Sequence, residues 1–122
     1  MRESGLMTVR ELRRRWRPKR ESLVESERHQ PMLIRVHRCL SWMNEVERIL
    51  GERGESATDT ALIYRWIAFN ALYGVWDSQA RLPIGDRECI EGFCSKLLEV
   101  DAEGNVESVL RAQRRRAMDL FR

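Results

Sequence analysis

The chain of 122 residues has room for one domain with one hydrophobic core, so a second catalytic domain is not expected. Hydrophobic residues make up 43% and charged residues 34%, with 7 Gly and 3 Pro, which excludes collagenous and low-complexity chains. The net charge of +3 conceals an uneven distribution. Residues 1–38 hold 11 basic and 5 acidic side chains, residues 39–110 hold 6 and 13, and residues 111–122 hold 5 and 1. An acidic body therefore lies between two basic ends.

The cysteines and the hydropathy pattern favour a cytoplasmic location. Cys39, Cys89 and Cys94 cannot all pair within one chain, and their spacing is not that of a metal site, which favours reduced thiols. The N-terminus lacks the apolar core of a secretory signal. The most apolar stretch, residues 61–76, contains Arg65 and is shorter than the roughly 20 residues of a membrane-spanning helix, so no membrane anchor is expected.

Residues 1–30 are predicted to form a short basic N-terminal arm. Thr8 can cap a short helix over residues 9–16, whose few apolar side chains make a thin stripe that docks the arm. Pro18 is expected to end this helix, because proline disfavours helical geometry at the residue before it.

Residues 31–122 are predicted to form an all-α bundle of four main helices. Pro31 suits the first turn of a long one-faced amphipathic helix that runs to about Leu50, and the glycines that follow are typical of a helix end. The last helix is still periodic where the sequence stops, which fits either a natural end or a truncated bundle. The predicted caps of the three later helices are Thr58 or Asp59, then Asp86, then Asn105.

The stretch of residues 61–76 is apolar nearly all round, so we expect it to be a central helix surrounded by others. Its alanines let neighbouring backbones approach, and its large rings can anchor the core. No segment alternates apolar and polar residues with β-branched enrichment, so no strand is expected. The five rings are Tyr64, Trp66, Phe69, Tyr73 and Trp76.

No familiar catalytic or cofactor motif is present. Phosphate-cradling, dinucleotide, serine-hydrolase and zinc signatures are all missing, so no cofactor is expected. His29 and His37 have no metal-ligand spacing, so no metal site is expected either. His37, flanked by Arg35 and Arg38, could act as a general base, but an ordinary histidine on a basic helix face is the favoured interpretation.

Two basic runs are candidate nucleic-acid contacts, since guanidinium groups pair with phosphates and an indole stacks on a base. Two other interpretations remain open. The arginines can simply keep a small bundle soluble, or the basic arm can lie against the acidic body within one molecule or between two. The runs are Arg13, Arg14, Arg15, Trp16, Arg17, Lys19 and Arg20 near the N-terminus, and Arg114, Arg115 and Arg116 near the C-terminus.

Arg65 and Asn70 are the polar residues of the apolar stretch, and a buried polar group must find a partner. They could belong to a site in the core of the bundle. The alternative is that Arg65 reaches solvent near Asp59 or Glu55. For Asn70 we favour a hydrogen bond to a neighbouring helix that fixes the register of a packed seam.

Two strings resemble the N-terminal half of bacterial HEPN-domain proteins. The first is His37-Arg-Cys-Leu-Ser-Trp42, which resembles the family's HR-x-x-SW pattern, and the second is Tyr64-Arg-Trp-Ile-Ala-Phe-Asn-Ala-Leu-Tyr-Gly74. Weaker similarity extends the resemblance over about residues 7–121, including the basic arm. The resemblance implies a helical bundle, commonly dimeric, in a family of RNA-cleaving toxins, host-defence effectors and non-catalytic members.

The sequence departs from this family at its catalytic motif. Ribonuclease members carry an R-x4-6-H motif on a late helix, but neither His29 nor His37 has an arginine at that spacing, and no histidine follows. No catalytic residue is therefore assigned. The expected function is a non-catalytic HEPN-like module that associates through helices and contacts RNA. The alternatives are an unrelated basic nucleic-acid-binding or regulatory protein, or a fragment of a metal-independent ribonuclease.

This chain alone is expected not to cleave RNA by the family's mechanism, because the paired arginine and histidine are missing. Incubation of the purified protein with labelled RNA in the presence of a chelator checks this. Metal-independent cleavage that disappears in a His37→Ala variant would contradict it.

Overall fold

The computed structural model describes residues 7–74, 76–77 and 79–120, and over these ranges the predicted all-α class is confirmed. The described residues form five α-helices, two short 3-10 turns and one pair of two-residue strands. The helices are α1 (Val9–Leu23), α2 (Gln30–Arg53), α3 (Thr58–Tyr73), α4 (Asp86–Val100) and α5 (Asn105–Leu120), the turns are Glu27–His29 and Gly54–Ala57, and the strands are β1 (Trp76–Asp77) and β2 (Leu82–Pro83).

The chain divides into two compact units at the end of α3. The first unit ends at Leu72 and contains α1, α2 and nearly all of α3. The second begins at Tyr73 and contains the strands, α4 and α5.

The basic arm is a full helix, longer than predicted. The Thr8 hydroxyl accepts a hydrogen bond from the backbone N–H of Glu11 at 3.2 Å, which confirms the predicted cap. The expected stop at Pro18 is wrong, because α1 continues through it to Leu23. A proline removes the bond to the carbonyl four residues earlier, here that of Arg14. Both positions are exposed, so water can satisfy that carbonyl and the helix persists.

The predicted long second helix is confirmed, with Pro31 in its first turn, and it runs to Arg53. Gly54 ends it with a φ of 58°, a left-handed backbone angle that glycine adopts without a steric penalty. The Thr58 hydroxyl does not cap α3 as predicted. It donates to the carbonyl of Glu55 at 2.8 Å, because a 3-10 turn leads directly into the helix.

The core of the first unit lies where the second half of α2 meets the start of α3. Val46 and Ile49 are buried there against Ala57 and Ala61, with Leu50 and Tyr64 half-buried beside them. The Trp42 and Tyr64 rings add an edge-to-face contact, with centroids 5.1 Å apart and planes at 63°. This core joins the two strings that resemble the HEPN family.

Within the described residues α3 is not surrounded as predicted, and its large side chains face outward. Its buried side chains are mostly small, such as Ala61 and Ala68, which are 0% and 1% exposed. Leu62, Ile63 and Trp66 are 66%, 59% and 53% exposed. The expectation that its rings all anchor the core is therefore wrong for Trp66, whereas Tyr73 is buried. The side chain of Trp76 lies outside the described residues.

In the second unit, Tyr73 is 2% exposed and its hydroxyl donates to Asp86 Oδ1 at 2.6 Å. Burial, together with this hydrogen bond, raises the pKa of Tyr73 to about 12. The same bond accounts for a wrong prediction, since the Asp86 side chain accepts from Tyr73 and caps no amide of α4. Residues 76–77 pair antiparallel with residues 82–83, a ladder too short to show the alternation that predicts a strand.

Helix α5 begins at Asn105, as predicted, but a different side chain satisfies its first turn. Asp101 Oδ2 accepts from the backbone N–H of Glu107 at 3.1 Å, whereas the Asn105 amide donates to Glu103 at 3.2 Å. Asp101 lies six residues before the amide, beyond the reach of the usual capping rule. Val109, Leu110 and Met118 are exposed on this helix.

Candidate nucleic-acid interface

Helices α1 and α2 enclose a groove of about 610 Å³ within the first unit. Four arginines line it, Arg13, Arg17 and Arg20 from α1 and Arg38 from α2. Trp16 and Gln30 also line it, together with the ring of His37. The apolar part of the lining is Val24, Leu33, Ile34 and Leu40.

The charge of this groove is unbalanced. None of the residues that line it is acidic, and among the described residues none of the four arginines forms an ion pair. Four guanidinium groups that converge without a carboxylate create a positive potential that attracts anions. The groove is therefore suited to a polyanion.

Helical periodicity explains which residues of the basic run reach the groove. Arg13, Trp16, Arg17 and Arg20 are spaced i, i+3, i+4 and i+7, so they share one face of α1. The intervening Arg14, Arg15 and Lys19 are exposed outside the lining. The structure thus brings together four of the seven predicted contacts and separates the other three.

Arg14 and Arg15 have a partner on their own helix. Both side chains contact the carboxylate of Glu11, and Arg14 does so through two nitrogens. The hydrogen bond from Arg14 is the main factor that lowers the pKa of Glu11. This pairing leaves Arg14 and Arg15 less available to an external anion than the groove arginines.

The analysis of the basic runs missed the contribution of α2. Arg38 and His37 were noted in the sequence only as neighbours in a basic helix. They follow Gln30, Leu33 and Ile34 at the spacing of one helical face, i, i+3, i+4, i+7 and i+8. That periodicity could have identified the α2 side of the groove once a partner helix was assumed.

A backbone contact fixes the start of α1 on α2. The N–H of Val9 donates to Glu47 Oε1 at 2.7 Å, and the Val9 side chain is 1% exposed. This N–H is one of the four first-turn amides that have no partner inside a helix, and a carboxylate also suits the positive end of the helix dipole.

The basic arm is not held by ion pairs to the acidic body. The ion pairs of the described residues all join side chains three or four positions apart in one helix. Exposed pairs of this kind add little to stability. The internal interpretation of the charge pattern thus finds no ion pair to support it within one molecule.

The remaining predicted site residues do not join the groove. Arg65 and Asn70 are exposed, so their predicted place in a buried seam is wrong within this part of the chain, where no polar side chain is buried. The reason is that the outer face of α3 is uncovered. Arg114, Arg115 and Arg116 are exposed on α5.

The cysteines do not form a nucleophilic centre in the described residues. All three are unpaired, and Cys89 is buried. Burial raises the pKa of the Cys39 thiol, which lowers its thiolate fraction and hence its reactivity. Over the same residues, no group of three or more His, Cys, Asp or Glu side chains is placed to hold a metal ion.

Comparison of the chain with protein-family profiles, curated proteins and solved structures found no match. Over the described ranges, no helix combines the length and the apolar character needed to cross a membrane. The argument for function therefore depends on the groove itself.

Removal of the Glu47 carboxylate is expected to loosen α1. In Glu47→Ala the Val9 amide loses its acceptor, at a cost of about 1 kcal/mol, so the amides of α1 exchange about fivefold faster with solvent. Hydrogen exchange read by NMR measures this, and Glu47→Gln, which keeps an acceptor oxygen, should fall between. Glu52→Ala is the control, since Glu52 pairs only with exposed Arg48. Equal protection in Glu47→Ala and Glu52→Ala would show that the contact does not hold the helix.

Proposed function

We propose that the chain is a HEPN-like helical module of the toxin or defence type that binds RNA in the groove between α1 and α2 and does not itself cleave it. The observation that carries this proposal is the convergence of four unpaired arginines from two helices on one groove without a carboxylate. RNA is a polyanion whose binding gains free energy from counterion release when arginines neutralise its phosphates.

The position of the family-like string supports the same proposal. His37 and Arg38 are the first two residues of the string that resembles the HR-x-x-SW pattern, and both line the groove. Ser41 donates its hydroxyl to the carbonyl of His37 at 2.9 Å, so it is satisfied within the helix. Trp42 contacts the Tyr64 ring in the core. The string thus combines a core contact with two groove residues.

RNA affinity is expected to depend on the groove face of α1 far more than on its other basic residues. Neutralising three groove arginines should lower affinity at least about tenfold and reduce the slope of log K against log salt by about 2, at about 0.7 per phosphate contact. Fluorescence anisotropy with labelled RNA at several salt concentrations measures both. The groove variant is Arg13→Gln, Arg17→Gln and Arg20→Gln, and the matched control is Arg14→Gln, Arg15→Gln and Lys19→Gln on the same helix.

The control variant loses the same charge, so equal losses in both variants would show that RNA follows the charge of the helix and not the groove. Arg38→Gln extends the test to α2, where a measurable loss is expected if both walls bind the strand. Absence of RNA binding at low salt would refute the proposal and leave only a role in protein association.

We further propose that the module self-associates through the outer face of α3. Leu62, Ile63 and Trp66 form an exposed apolar patch, the kind of surface that marks protein interfaces. Exposed Asp59 and Asn70 lie near its two ends. In an antiparallel pair of α3 helices the Asp59 carboxylate of one copy would meet the Asn70 amide of the other, so the face is complementary to itself. This pairing would give Asn70 its register-setting role in a seam between chains.

A charge placed in the apolar patch is expected to abolish self-association. Trp66→Glu would bury an unpaired carboxylate in the interface, so sedimentation velocity should show a monomer where the unchanged chain shows a dimer. Val109→Glu, at a comparably exposed residue of α5, is the control and should leave the dimer intact. A unchanged chain that stays monomeric at all concentrations would contradict self-association.

A further inference from the structure

The groove has a second chemical component besides its charge. Val24, Leu33, Ile34 and Leu40 line it together with the four arginines, and Val24 and Ile34 are about half exposed, at 52% and 50%. Phosphate contacts make no use of such side chains. An occupant that satisfies the whole groove must therefore carry an apolar surface as well as negative charge.

We infer that the groove is a binding site for single-stranded RNA, in which an unpaired base stacks on Trp16 and covers the apolar side chains while the flanking phosphates contact the arginines. This inference rests on the proposed RNA-binding function and specifies its substrate class. An unpaired base has the required apolar face, and its neighbouring phosphates supply the charge.

The position of Trp16 supports this assignment. Its indole is half-buried, so part of the ring remains accessible, and it lies on the same helix face as Arg13 and Arg17. Arg13 is one turn before the ring and Arg17 immediately after it. A base stacked on the indole would have guanidinium groups on both sides of it, where the phosphates of a strand continue.

A duplex fits the same groove less well. Its phosphates can reach the arginines, but its bases are paired and stacked on one another, so they cannot cover the apolar side chains. An acidic amphipathic helix also combines charge with apolar surface. However, such a helix is 10–12 Å wide, so a single turn would occupy roughly 500 Å³, most of the groove. A flexible strand with an unstacked base needs no such width.

Three forms of one labelled oligoribonucleotide test the inference with the full chain. The forms are the single strand, the strand annealed to its complement, and a strand of equal length with abasic sites, which keeps the phosphates and lacks the bases. We expect the single strand to bind about tenfold more tightly than either other form at the same salt concentration, as one base stacked on an aromatic ring provides.

Variants of the tryptophan assign the effect to the groove. Trp16→Leu should lower the affinity for the single strand to that of the abasic strand and leave the abasic affinity unchanged, whereas Trp16→Phe should retain most of the preference. Trp66→Leu, which changes an exposed tryptophan of α3 outside the groove, is the control and should have no effect. Circular dichroism confirms that each variant remains helical.

Equal affinity for all three forms would overturn the inference and leave the proposed function standing, because phosphate binding alone would then explain the affinity. A preference that persists in Trp16→Leu would overturn the assignment to this ring. Absence of binding to every form at low salt, or binding of an acidic amphipathic peptide in place of RNA, would refute the inference and the proposed function together.

Discussion

The hydrogen bond from the Val9 amide to the Glu47 carboxylate is the contact on which the candidate site depends. Val9 is the buried residue of α1, and most of the remaining helix is exposed. A highly charged helix of this length has little tendency to dock on its own, since helices in proteins gain most of their stability from a packed apolar face. One buried side chain and one satisfied amide thus place the arginines of α1 opposite Arg38 and so create the groove.

Much of the fold follows from helical periodicity, whereas the contacts that fix helix ends do not. The face of α2 and the stop at Gly54 could be predicted from spacing and glycine alone. The roles of Asp86 and Asp101 could not, because each acidic side chain found a partner set by tertiary placement, a tyrosine hydroxyl and an amide six residues away. Pro18 was misread for a related reason, since its cost depends on whether the orphaned carbonyl is exposed to water.

Helix α3 shows the limit of hydropathy as a guide to burial. An apolar stretch of this kind indicates that a helix is covered, but not by what. Small residues such as Ala61 let the α3 backbone approach α2 closely, and the bulky Leu62 and Trp66 then face away from that contact. Sequence composition reports the total apolar surface of a helix, whereas the choice of inner face depends on which residues allow close approach. This is why Asn70 was expected in a buried seam and is exposed in the described chain.

The net charge of +3 is a poor description of a molecule whose arginines differ so much in their surroundings. Along the sequence, Arg13, Arg14 and Arg15 form one basic run, but in a helix each successive residue turns by about 100°, so the run is distributed over different faces. Arg14 and Arg15 reach Glu11 and neutralise it, whereas Arg13 joins a face with no carboxylate. A run of like charges is thus not one site. Its binding capacity is set by the residues that the helix places beside a second wall and leaves unpaired.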